Sequence, residues 1–145
     1  MGAGPFFLIK HCALKNQQLR GRPVNIDVDL GNSGDMQIEL IFQRNSEVAS
    51  VYNESTPSGH VGLHHYGLMP SDYQAARRQY SEQGFDIAFE ATISGAELVY
   101  FDTRAATGHY TELWETSDVF DDVARLVEAA SVGWDGNDAI RPMPT

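Results

Sequence analysis

GLHHYGLMPSDYQAARRQYSEQGFDIAFEATISGAELVYFDTRAATGHYTELWE, residues 62–115, carries in order the signals of a strand, a helix and three further strands. Gly62–Met69 is short and apolar and carries two histidines, a strand too brief for a helix. Pro70-Ser71-Asp72 then opens a helix, with Ser71 or Asp72 as N-cap and Tyr73, Ala76, Arg77 and Tyr80 at helical spacing. Gly84 stands where a C′ glycine ends it. Phe85–Ile93, then Glu97–Asp102 after Gly95, then Tyr110–Glu115 after Gly108 read as three strands separated by glycine turns. The order is strand, helix, strand, strand, strand.

Upstream, Pro5–Cys12 reads as a strand and Lys15–Arg22 as a polar loop. Val24–Leu30 alternates strictly, with Val24, Ile26, Val28 and Leu30 on one face. Gly31–Gly34 is a turn cluster, and Asp35–Phe42 is the hairpin partner. Residues 45–60 hold a helical turn around Val48–Asn53 and then a Ser/Thr/Pro/Gly loop. Downstream, Asp118–Ala130 is a helix capped by Ser117, with Phe120, Val123, Ala124 and Val127 on one face, and Trp134–Thr145 reads as irregular. Residues 5–43 therefore repeat the later pattern without its opening strand and helix, an internal repeat with a missing piece. The expected organisation is a single domain over 1–145: a partial module one at 4–44, a linker at 45–61, module two at 62–116, then a helix at 117–131 and a tail.

Composition limits what such a domain does. The chain has 145 residues, 42% hydrophobic, with a formal net charge of −10. That is enough to bury a core without staples, and it is not the composition of a disordered chain. The acidic excess repels phosphate backbones, so nucleic acid is not an expected partner. Fourteen of the twenty acidic residues lie in 66–145. No apolar run is long enough to span a membrane, and the N-terminus lacks the charged leader and apolar stretch of a secretory signal. Cys12 is the single cysteine, which fits a reducing compartment and a cytoplasmic location.

The strand Gly62-Leu-His-His-Tyr-Gly-Leu68 resembles the opening strand of the second module in the vicinal oxygen chelate superfamily. Those proteins include glyoxalase I, methylmalonyl-CoA epimerase, extradiol dioxygenases and bleomycin-resistance proteins. Gly34–Ile41 resembles the closing strand of that family's first module, Tyr110–Glu115 the closing strand of its second, and Gly4-Pro-Phe-Phe7 the link after the first helix in a glyoxalase-like branch near methylmalonyl-CoA epimerase. The resemblance implies an α+β fold in which two βαβββ-type modules form a cupped mixed sheet, here with the first module lacking its opening β-α. It also implies a divalent metal ion (Zn, Ni, Co, Mn or Fe) held by Glu39, His65 and Glu112. The reaction implied is that of an isomerase, epimerase or lyase acting on a small 2-oxo, hydroxy-carbonyl or thioester substrate through a metal-stabilised enediolate, with Glu112 or Glu39 moving the proton. A ring-cleaving Fe(II) dioxygenase and a non-catalytic binder of the bleomycin-resistance type are the alternatives.

The family's fourth ligand has no counterpart. His65 and Glu112 are 47 residues apart, and the same interval counted back from Glu39 falls before Met1. A late start, a strand supplied by a second chain, or a degenerate site each account for this, and a late start is the most economical. An unpaired sheet edge would favour association, so a homodimer is expected.

Read without the resemblance, these residues have plainer roles as well. His65 is equally a hydrogen-bonded strand histidine, and alternation lets only one of His64 and His65 face the cup. Glu39 shares a face with Gln37 and Ile41, which any antiparallel strand with a wet side would show. Glu112 lies between Tyr110 and Trp114 on one face, as in a pocket wall. His11, His109, Tyr110 and Trp114 are candidate substrate contacts, and Arg20, Arg22 and Arg44 could greet an anionic substrate but read more simply as solubilising charge.

Overall fold

The structure is a computed structural model that describes residues 2–18, 23–54 and 61–144. It contains two compact units, one of Met1–Cys12, Asn25–Asn45 and Asp118–Thr145, the other of Ala13–Val24 and Ser46–Ser117. Each unit is built on its own sheet, and the fold is α+β with mixed sheets, as the sequence implies. No helix among the described residues is long and apolar enough to cross a membrane.

The first unit holds β1 (Phe6–Ile9), β3 (Ile26–Ser33), β4 (Met36–Gln43), helix α4 (Asp118–Ser131) and β9 (Ile140–Pro142). Its sheet runs β4-β3-β1-β9, antiparallel except for the β1–β9 pair. The turn cluster expected at Gly31–Gly34 is not a turn throughout. β3 continues to Ser33, and only Gly34 and Asp35 form the two-residue hairpin loop, with Gly34 at φ 59°. Gly31 is glycine for a packing reason instead: a Cβ there would meet the Phe6 ring at 2.8 Å. The tail is also not wholly irregular, because β9 lies parallel beside β1 with Phe6 opposite Ile140. Three residues ending in proline carry no strand signal, and proline is tolerated here because β9 is an edge strand. No described strand pairs with the outer edge of β4.

Alternation in β3 puts Ile26 and Val28 in the core, yet Asp27 on the opposite face is also buried. Its carboxylate accepts from Arg44 Nε at 2.7 Å and from the His11 backbone N–H at 2.8 Å. These donors hold Asp27 at about 2, below its ordinary value of 3.8. A depressed carboxyl stabilises the fold fully above its ordinary range and loses that contribution as pH falls through its folded value. The thermal midpoint of the wild type should therefore drop more steeply between about pH 4 and pH 2 than that of Asp27→Asn, whose midpoint should be lower at neutral pH. Parallel curves across that window would show that Asp27 does not supply the acid limb.

The second unit holds β2 (Lys15–Gln18), α1 (Val51–Glu54), β5 (His65–Leu68), α2 (Tyr73–Glu82), β6 (Ile87–Ile93), β7 (Ala96–Phe101), α3 (Arg104–Thr107) and β8 (Tyr110–Trp114). Its sheet runs β2-β6-β7-β8-β5, with β5 parallel to β8 and the other pairs antiparallel. The strand–helix–strand–strand–strand order read from residues 62–115 is present, with α3 as an added turn of helix before β8. Asp72 is the N-cap of α2, its side chain accepting from Ala75 N at 2.8 Å, and Gly84 follows at φ 85°. Lys15–Gln18 was expected as loop and is an edge strand. Its polar side chains show no alternation, and it is held by its ladder with β6 and by Asn16 Nδ2 donating to Thr92 Oγ1 at 3.1 Å. The helical turn expected around Val48–Asn53 is the shorter α1, and the loop beyond it, at 55–60, lies outside the described residues.

The two faces of this sheet are buried differently. Tyr73 of α2 packs with Val99, Phe101 and Leu113 on one face, while Val51, Phe89, Leu98, Tyr100 and Tyr110 cluster on the other. Glu112 lies on β8 between Thr111 and Leu113, opposite Tyr100 of β7.

Candidate functional site

The site in the second unit is made where the four-residue strand β5 meets β8. Parallel pairing of β5 with β8 sets His65 beside Tyr110 and Gly67 beside Glu112. The Glu112 side chain is 2% exposed, a location in which an isolated carboxylate is costly. Its Oε2 lies 3.2 Å from His65 Nε2, and the His65 side chain is itself 9% exposed. Gly67 leaves the carboxylate its room: a Cβ there would lie 3.4 Å from Glu112 Oε2 and 3.9 Å from Trp114 Nε1.

Alternation predicts that His64 and His65 point to opposite faces. Instead their Nδ1 atoms are 2.9 Å apart and their rings meet edge to face. The reason is local: β5 begins only at His65, so His64 precedes the strand and is not bound by its pleat. His64 Nε2 lies 2.7 Å from the Val51 carbonyl. Aromatic rings enclose the pair, with Tyr52 stacked on His64, Tyr110 centred 5.1 Å from it, and Tyr100 centred 5.2 Å from His65. Sequence reasoning set His64 aside, and no local signal marked it, because its partners are contributed by α1 and by the start of its neighbouring strand.

Tyr110 is buried, and burial pushes its phenol above the ordinary range, so the hydroxyl stays protonated. Arg104 sits over its ring at 4.6 Å, held there by Asp102, which accepts from Arg104 Nε at 2.8 Å. Trp114 is half-buried on the same face of β8 as Glu112. His109 precedes β8, its Nδ1 lying 3.0 Å from Thr107 Oγ1 and its ring against Tyr66.

Glu39, His11 and Arg44 belong to the first unit. Glu39 is half-buried on β4, opposite Leu30 of β3. β4 closes the antiparallel run β1-β3-β4 as β8 closes β6-β7-β8, so Glu39 and Glu112 sit on equivalent strands of their units. His11 is exposed, with its ring Nδ1 3.2 Å from Asn25 Oδ1. Arg44 is engaged by Asp27, while Arg20 and Arg22 lie outside the described residues.

The donor chemistry of the second unit fits a borderline divalent cation. An imidazole nitrogen and a carboxylate oxygen face one another in a nearly dry setting, and both are ligands that such a cation accepts. A glycine rather than a side chain stands on the neighbouring strand beside the carboxylate.

Comparisons with known proteins supply a family and a similar fold. A search of curated proteins finds no match. Among solved structures, methylmalonyl-CoA epimerase from Mycobacterium tuberculosis is similar at 15% identity over 77% of each chain, with a TM-score of 0.50. A hypothetical protein from Bacillus halodurans is similar at 17% identity over 78% of each chain, with a TM-score of 0.47. At such identities the epimerase likeness speaks for the fold alone. The family described as the Glyoxalase/Bleomycin resistance protein/Dioxygenase superfamily matches residues 8–101, well over half of the sequence. The chain therefore belongs to the glyoxalase, bleomycin resistance protein and dioxygenase superfamily.

Proposed function

We propose that this protein is a metal-dependent isomerase, epimerase or lyase of the glyoxalase type, acting on a small 2-oxo, hydroxy-carbonyl or thioester substrate. The observation that carries the reading is the buried His65–Glu112 pair, a nitrogen and an oxygen donor facing each other at 3.2 Å. His65, Glu112 and Glu39 are the residues that would hold the ion, Glu39 by its place on the closing strand of the first unit and by the family resemblance. When bound, a divalent cation supplies Lewis-acid polarisation of two adjacent substrate oxygens, which acidifies the neighbouring C–H. A carboxylate, Glu112 or Glu39, then takes the proton from carbon as general base and returns it as general acid. Return to the adjacent carbon is isomerisation, and return to the opposite face of the same carbon is epimerisation. Tyr110 and Trp114 flank Glu112 and supply an apolar wall, and His109 and His11 are the further substrate contacts we assign. We assign the protein to the cytoplasm, in keeping with its single cysteine. We also assign a homodimer, supported by the outer edge of β4, with which no described strand pairs, and by the exposure of Met36 and Phe42 on that strand.

The test is solvent exchange. Protein loaded in turn with Zn(II), Ni(II), Co(II), Mn(II) or Fe(II) in deuterated buffer should move deuterium onto the carbon beside the carbonyl of at least one 2-oxo acid, hydroxy-ketone or acyl thioester, read by NMR. It should also retain about one ion per chain after desalting, as a site of fixed protein ligands does. Protein that retains no ion but binds apolar aromatics would be a non-catalytic binder. Oxygen uptake with Fe(II) and a catechol would make it a ring-cleaving dioxygenase. Either result overturns the proposal.

A further inference from the structure

Each contact in the row Val51–His64–His65–Glu112 restricts where the next hydrogen can be. The Val51 carbonyl only accepts, so the His64 Nε2 that lies 2.7 Å from it carries a hydrogen and donates. In a neutral imidazole the other nitrogen is then a bare lone pair. That nitrogen, His64 Nδ1, is 2.9 Å from His65 Nδ1, which must therefore carry the hydrogen and donate to it. His65 Nε2 is left as a lone pair directed at Glu112 Oε2, 3.2 Å away, itself an acceptor. Two acceptors at that distance need a positive centre between them, a proton or a divalent cation, and the cation supplies it with both imidazoles neutral.

From this we infer that His64 is a positioning residue: it fixes the tautomer of His65 and aims the Nε2 lone pair at the site that Glu112 completes. The inference rests on the reading of His65 as a metal ligand. His64 acts on the site through His65. It works through one nitrogen on a backbone carbonyl and the other on its neighbour. Its ring plane is held by packing, with Tyr52 stacked at 5.5 Å and Tyr110 at 5.1 Å, and the Val51 carbonyl fixes which edge carries Nε2. A metal-bound imidazole whose second nitrogen donates to a fixed acceptor is a more basic and better oriented ligand, and loss of such a partner costs about 10–100-fold in metal affinity. Here the acceptor is the adjacent residue, which can turn toward His65 because β5 begins after it.

Two measurements on the full chain test this. The first needs no variant. In the Zn(II)-loaded wild type, long-range nitrogen–proton correlation of the histidine rings should show His64 protonated at Nε2 and His65 protonated at Nδ1. A His64 protonated at Nδ1 overturns the inference. The second compares Co(II) affinities of His64→Phe, His64→Gln and His65→Ala. His64→Phe keeps the ring packing but neither nitrogen, and should weaken Co(II) binding by about 10–100-fold. It should also lose the hyperfine-shifted exchangeable N–H resonance of His65 to solvent exchange. His64→Gln offers both a donor and an acceptor and should recover most of the affinity and the resonance. If His64→Phe binds Co(II) as tightly as wild type and keeps the resonance, His64 is only packing. If instead His65→Ala retains wild-type affinity, the ligand assignment itself fails, and the two failures are told apart by which variant is silent.

Discussion

Glu112→Gln should release the metal while leaving the metal-free protein as stable as wild type or slightly more so. The carboxylate is 2% exposed, and its location between Thr111 and Leu113 makes it part of the interior of β8. Glutamine keeps the shape, removes the desolvation cost of a buried charge and can donate from its amide to the His65 Nε2 lone pair, so no charge is left buried and unpaired and the fold has little to lose. As a ligand, the neutral amide neither offsets the ion's charge nor matches a carboxylate's donor strength, and the loss in affinity should exceed the roughly 100-fold seen when only an outer partner is removed. Two readouts separate these effects. Competition with a chelator reports affinity. Thermal melts with and without saturating ion report linkage, because an ion that binds only the folded state at a thousandfold excess over its Kd adds about 4 kcal/mol. Wild type should show that upward shift and Glu112→Gln should not. A glutamine variant that keeps wild-type affinity would remove Glu112 from the ligand set.

The largest loss of stability should come from the other face of the same sheet. Phe101 is fully buried at the end of β7, stacked on Tyr80 of α2 at 5.2 Å and packed with Tyr73, Val99 and Leu113. Phe101→Ala should cost about 3–5 kcal/mol, the sum of lost transfer energy and the cavity left under the helix. For a chain of this size that lowers the melting midpoint by on the order of 10 °C. Val132→Ala is the control. Val132 is 79% exposed just after α4, and its truncation should change stability by less than about 0.5 kcal/mol. Urea titrations of both variants check the contrast. A cost below about 1 kcal/mol for Phe101→Ala would mean that the helix does not rely on this face. Because Tyr100, the residue before Phe101, lies opposite Glu112, the same variant should also loosen metal retention in proportion to the distortion of β7.

How far the sequence carries the reading depends on the range of the interactions that define each element. Helix α2 was legible because its determinants are local: Asp72 caps it, Tyr73, Ala76 and Tyr80 recur along it, and Gly84 follows it. The strands β3, β4, β6, β7 and β8 were legible because alternation and glycine turns repeat at short range. The edges were not. β2 is a strand because β6 offers it a ladder more than seventy residues away, and nothing in Lys-Asn-Gln-Gln records that. β9 owes its state to β1, from the opposite end of the chain. Family membership was legible in the order of four short motifs, and the match over residues 8–101 bears it out.

The candidate site divides in the same way. His65 and Glu112 could be named from the chain, because the resemblance marks the strands on which they lie. Composition and local pattern determined the element types, the βαβββ order of the second unit and the residue kinds available for chemistry. The burial of Glu112 against His65, the room that Gly67 leaves its carboxylate, and the turn of His64 toward its neighbour arise from long-range contacts. The physical reason is that burial and hydrogen-bond partners are properties of pairs brought together by the sheet. Glu112 acquires its environment from β5, 47 residues earlier by His65, whereas a helix cap acquires its own within one turn.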